Sequence, residues 1–171
     1  MNIITKMSDS LITETHDHLL PAYADIEEAG FGFANFELDG DLLLIHIIEW
    51  MPLKHSDFQH QYGNYLELSN NTRARIIKNA HKTNTLLVEF HSHPFPYPAS
   101  FSHADICGLN EFVPHVMWRL PNRPYLAIVV APSGYDALAW INKGDNPLAI
   151  LSIRSDSQEL FPTNLSLNNW S

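Results

Sequence analysis

The chain has 171 residues, which suits one ordinary domain and leaves little room for a second. Ten Lys and Arg against 19 Asp and Glu give a net charge of −9 with the histidines neutral, and no basic cluster stands out along the sequence. Phosphate backbones are bound chiefly through Lys and Arg, so a nucleic-acid partner is not expected. The one cysteine, Cys107, cannot pair within the chain and suits a reducing, cytoplasmic setting. The longest aliphatic run, residues 42–48, contains His46 and is far short of the roughly 20 residues that span a bilayer, so no membrane partner is expected. Residues 1–7 lack the basic and apolar regions of a secretory signal.

In chain order, Leu11, Ile12, Leu19 and Leu20 have a helical spacing that Pro21 ends. Residues 31–36 alternate, residues 42–50 are apolar, and Leu38-Asp39-Gly40-Asp41 between them reads as a hairpin turn. Ser69 or Asn70 can cap a helix through Arg73, Ile76, Ile77 and Ala80, followed by a strand over 86–91. Ser102 opens a further helix with Ile106, Leu109, Phe112 and Val113 on one face, expected to stop at Pro114. Residues 125–131 and 135–141 flank a Pro132-Ser133-Gly134 turn as a second hairpin, and 148–153 can add a last strand. The expected architecture is a single α/β domain over residues 8–153, a mixed sheet flanked by helices. Residues 154–171 read as a polar, frayed C-terminal tail.

One stretch carries chemistry: His91-Ser92-His93-Pro94, seven residues, then Ser102-His103-Ala104-Asp105. In an extended chain, side chains two apart project from one face, so His91 and His93 can reach one metal ion. Taken alone, Ser102 and Asp105 read equally as a capping box at a helix start. The proline-stiffened loop between the two pieces can bring that first helical turn back to the strand end and deliver Asp105 as a third ligand. Two histidines and one carboxylate leave a fourth tetrahedral position for water, the pattern of catalytic zinc sites.

These residues resemble the JAMM motif of the JAB/MPN metalloprotease family, which is H-[ST]-H-P, seven residues, then S-x-x-D, matched over residues 91–105 without a gap. The family also carries an upstream Glu three residues before a Gly that leads into a strand. Glu27 stands at that offset before Gly30, although the family's second glycine falls on Ala34 and Glu28 competes with Glu27 for the position. Glu89 shares the strand face of the two histidines and is a candidate to orient one of them.

The resemblance implies a JAB/MPN-like domain with its metal site at a strand end and a helix N-terminus. It implies one Zn2+ per chain, held by His91, His93 and Asp105, with Glu27 as general acid/base and Ser102 as hydrogen-bond donor to the oxyanion. The implied activity is hydrolysis of the isopeptide or peptide bond after the C-terminal glycine of a ubiquitin-like protein. The short chain looks like the stand-alone bacterial branch, whose members are associated with activating and conjugating enzymes of ubiquitin-like systems, antiviral ones among them. The segment 51–66 is a candidate flap beside an extended modifier tail. Two other readings share parts of the pattern: a RadC-like, DNA-repair-associated protein, which the charge disfavours, and a non-catalytic MPN scaffold, which the complete ligand set disfavours. A zinc deaminase would need more cysteines than the chain has, and an Fe(II) triad would need three open positions.

Overall fold

The computed structural model describes residues 1–170. The chain forms β1 (Asn2–Lys6), α1 (Asp9–Leu19), β2 (Ala29–Asp39), β3 (Leu42–Pro52), β4 (Phe58–Gln61), β5 (Leu66–Leu68), α2 (Asn70–Thr83), β6 (Leu86–Ser92), α3 (His103–Arg119), β7 (Tyr125–Ala131), β8 (Gly134–Trp140), β9 (Ser152–Arg154) and β10 (Glu159–Leu160). Eight strands make one mixed sheet in the order β10-β9-β1-β3-β2-β6-β7-β8, and β4 pairs with β5 in a small second sheet. β1 runs parallel to both β3 and β9, and β6 runs parallel to β7. The other pairs in the large sheet are antiparallel. No helix among the described residues is long and apolar enough to cross a membrane.

The sheet separates two cores. Phe31, Phe33, Leu87, Tyr125, Ala127 and Val129 pack on one face with Ile76 and Ile77 of α2 and with Leu109, Val113 and Val116 of α3. Leu43, Ile45, Ile47, Val88, Phe90 and Ile128 pack on the other face with Leu19 of α1. The period of two in β6 decides where the chemistry emerges. Leu86, Val88 and Phe90 enter the α1 core while Leu87 enters the α2–α3 core, so Glu89 and His91 continue on the α2–α3 face.

Both hairpins and all three expected helices form, but the chain differs from the sequence reading in three places. The domain extends past 8–153 at both ends, because β1 lies inside the sheet and residues 154–171 are not a frayed tail as far as they are described. β10 pairs with β9, the Ser166 side chain is fully buried, and Trp170 packs edge-on against Trp140. α3 runs through Pro114 to Arg119. Pro114 and Asn110, whose carbonyl loses its helical partner, both lie on the exposed side of the helix, while Val113, Val116 and Met117 keep the buried face continuous. Finally, the last strand is short: Leu148 makes only an isolated bridge to Ala139, and the strand proper is Ser152–Arg154.

Candidate metal centre

The β2–β6 register brings the upstream glutamate to the histidines. Ala29 lies opposite His91, and the pairing continues beyond β2, because the Ser92 N–H donates to the Glu28 carbonyl and the Ser92 hydroxyl accepts the Glu28 N–H, both at 2.9 Å. The next residue along, Glu27, therefore stands beside His93 and on its face, whereas Glu28 shares the opposite face with Ser92. The Glu27 carboxylate is 4% exposed, and its Oε1 lies 3.6 Å from His93 Nε2. Glu28 is half-buried near His18, His55 and Gln61. A bulge between Phe33 and Ala34 shifts the β2–β3 register where the family's second glycine is missing, but it lies well away from Glu27.

α3 supplies the third group through the cap that starts it. Ser102 is the N-cap: its Oγ accepts the Asp105 N–H at 3.1 Å, and its own N–H donates to Asp105 Oδ2 at 2.7 Å. That same Oδ2 lies 3.2 Å from His91 Nε2 and 3.1 Å from His93 Nε2, while the two Nε2 atoms are 3.2 Å apart. The capping box and the convergence on the histidines are thus one arrangement. The cap fixes the carboxylate rotamer that faces the imidazoles.

His91, His93 and Asp105 together could hold a metal ion. The geometry fits one: ligands on a tetrahedral ion with bonds of about 2.0–2.1 Å stand about 3.3 Å apart, close to the 3.1–3.2 Å sides of this triangle. Without a metal the same groups hold protons between them, which a bound ion would displace. Burial disfavours charge on His91, yet Asp105, with support from Glu89 and Glu27, outweighs it and pushes the imidazole pKa up to about 9. Burial also works against ionised Asp105, but the two histidines overcome it and hold the carboxyl far below its usual range. Glu27 is raised to about 7, chiefly by burial, with His91 and His93 opposing.

Several groups that the sequence reading passed over hold this site together. Ser92 ties the Glu27–Glu28 segment to the end of β6. Gln61 donates from Nε2 to the Glu27 carbonyl at 2.8 Å, and the Tyr62 carbonyl accepts the Glu27 N–H at 3.0 Å. The β4–β5 hairpin, inside and just beyond the expected flap, is therefore clamped to the glutamate's backbone. Only the Ser of H-S-H-P was visible in a motif, since Gln61 lies 34 residues from its partner. Glu89 accepts a hydrogen bond from the buried Tyr125 hydroxyl rather than from a ligand histidine, and burial raises its pKa. Trp140 and Tyr135 are buried, whereas Trp118 is exposed.

No family model matches the chain, and no curated protein matches it. Among solved structures the chain is similar to the solution structure of a protein from Salinibacter ruber (strain DSM 13855), at 15% identity over 95% of this chain and 96% of that one. The TM-score is 0.46, a likeness that carries no argument about activity. What the molecule itself presents is an α/β domain with a His-His-Asp cluster beside a buried glutamate.

Proposed function

We propose that the chain is a zinc-dependent hydrolase that cleaves the isopeptide or peptide bond after the C-terminus of a ubiquitin-like protein. The observation that carries this reading is the convergence of Asp105 Oδ2 on both histidine Nε2 atoms with Glu27 Oε1 alongside. The donor set, two imidazoles and one carboxylate, suits zinc with one position left open. The motif over residues 91–105 supports the substrate class by resemblance.

The chemistry a bound zinc ion supplies is Lewis acidity toward a carbonyl oxygen and acidification of a water molecule. Glu27 then takes the proton from the attacking water and returns it to the leaving amine, so the carboxylate ends the cycle as it began. Ser102 uses its oxygen to accept the Asp105 N–H, which leaves its hydroxyl proton free to stabilise the tetrahedral oxyanion. Gln61, through the Glu27 carbonyl, and Ser92, through the neighbouring Glu28 N–H, hold the backbone in place during both transfers.

Elemental analysis of the wild-type chain beside His93→Ala tests this without a substrate. The expected result is close to one zinc per chain, lost in the variant. Fluorogenic amides of ubiquitin-like C-termini are then cleaved by the zinc-loaded wild type alone. Absence of zinc from both proteins after metal is supplied would overturn the reading.

A further inference from the structure

Several basic residues of this acidic chain gather around α2 and the end of α3, contrary to the expectation from the sequence that none cluster. α2 carries Arg73, Arg75, Lys78 and Lys82 with no acidic residue over Asn70–Thr83, and Arg119 ends α3. Two neighbouring cations are engaged. Arg75 pairs with Asp57 at 3.1 Å, and Arg123 donates to the carbonyls of Ala80 and Thr85 at the end of α2. Arg73, Lys78 and Arg119 make no ion pair among the described residues. These three line an open groove of about 780 Å³ between α2 and α3, in which Glu111 is the lone acid.

The groove adjoins a second cavity on the His91 and Asp105 side of the candidate metal centre. A smaller pocket that includes Glu89, His91 and Asp105 shares Arg73, Gly108 and Phe112 with it, and the Arg73 guanidinium lies over the Phe112 ring at 5.9 Å. Gly108 sits at that junction inside α3, where glycine weakens a helix relative to alanine. Packing does not require it, because a Cβ there would meet nothing within 4 Å. Gly108 lines both cavities, so no side chain stands between them at that point.

We propose that the α2–α3 groove docks an acidic face of the folded protein whose C-terminal tail is cleaved, with the tail passing over Gly108 to the metal centre. This rests on the hydrolase reading. Charge complementarity selects the occupant: unpaired cations confined to one groove match a patch on a protein surface. A nucleic-acid duplex would extend past the groove over a chain whose net charge is −9.

The test is fluorescence anisotropy of a labelled peptide, an Asp/Glu run ending in Gly-Gly, titrated with the zinc-loaded full chain and compared with a short DNA duplex. Lys78→Glu/Arg119→Glu is expected to weaken peptide binding about tenfold or more at low salt. Lys6→Glu/Lys143→Glu, with the same change in net charge away from the groove, is expected to change it far less. Equal loss in both double variants, no loss in either, or tighter binding of DNA than of peptide would overturn the docking surface. All four substituted positions are exposed, and circular dichroism checks that each variant folds. Zinc content and cleavage are read separately. A chain that cleaves but binds the peptide regardless of Lys78 and Arg119 defeats the groove alone. A chain that binds through the groove but takes up no zinc defeats the hydrolase and, with it, the role of the tail.

Discussion

Two buried carboxylate centres in this molecule are satisfied in opposite ways. Asp136, 1% exposed on β8, accepts the N–H groups of Ala137 and Asn164 at 3.0 Å and that of Ser166 at 2.8 Å. Its partners are all backbone, fixed in place, and they fasten the C-terminal segment to the sheet. At the candidate metal centre Asp105 accepts a single backbone N–H and otherwise faces two imidazoles, while among the described residues the Glu27 carboxylate has only His93 within ion-pair distance. Backbone amides cannot be exchanged for a ligand, whereas imidazole nitrogens can trade a proton for a metal. Burial alone therefore does not mark a functional acid; the identity of its partners does.

The contrast can be tested by removing each centre. Glu27→Gln is expected to keep zinc and lower hydrolysis by about 10²–10⁴-fold, the usual contribution of a general acid/base, as read by kcat on a fluorogenic amide. Asp136→Ala is expected to cost about 3 kcal/mol of stability in urea denaturation, because the buried N–H groups of Ala137 and Ser166 and the part-buried one of Asn164 lose their acceptor, with zinc per chain unchanged. If Asp136→Ala also emptied the metal centre, the two regions would not be independent. Gly108→Ala should raise stability by about 0.5–1 kcal/mol, since alanine favours the helix and meets no obstacle. The smallest effect is expected from Glu28→Gln, with stability within about 0.5 kcal/mol of wild type and hydrolysis nearly unchanged. A large loss of activity there would move the general base by one residue.

The cluster of His91, His93 and Asp105 was legible in the sequence because its parts are local: a strand period of two and a helix cap, joined by a short loop. The choice between Glu27 and Glu28 was not, since it depends on a register between β2 and β6 that links residues 64 apart. β1 escaped notice because Ile3, Ile4 and Thr5 are all buried, so its sequence shows no alternation. The segment after residue 154 looked frayed because its anchors, Asp136 and Tyr135, lie in another strand; the Tyr135 hydroxyl donates to the Leu160 carbonyl at 2.6 Å. The basic groove was missed for a related reason. The cations on α2 are interleaved with neutral residues, and Arg119 joins them only when α3 packs alongside.

The placement of β1 also sets an order of assembly. Asn2 pairs with Leu42, and Ile4 pairs with Ser152, so β1 joins partners about 40 and 150 residues later in the chain. Contacts of such long sequence separation form late and slowly, because the intervening chain must first be brought together. During synthesis β1 and β3 can pair early, but the far edge of β1 stays open until β9 leaves the ribosome. An open edge offers unpaired N–H and C=O groups to any other extended chain. Nascent or C-terminally truncated copies are therefore the forms of this protein most exposed to aggregation, and closure by β9 is the step that ends that exposure.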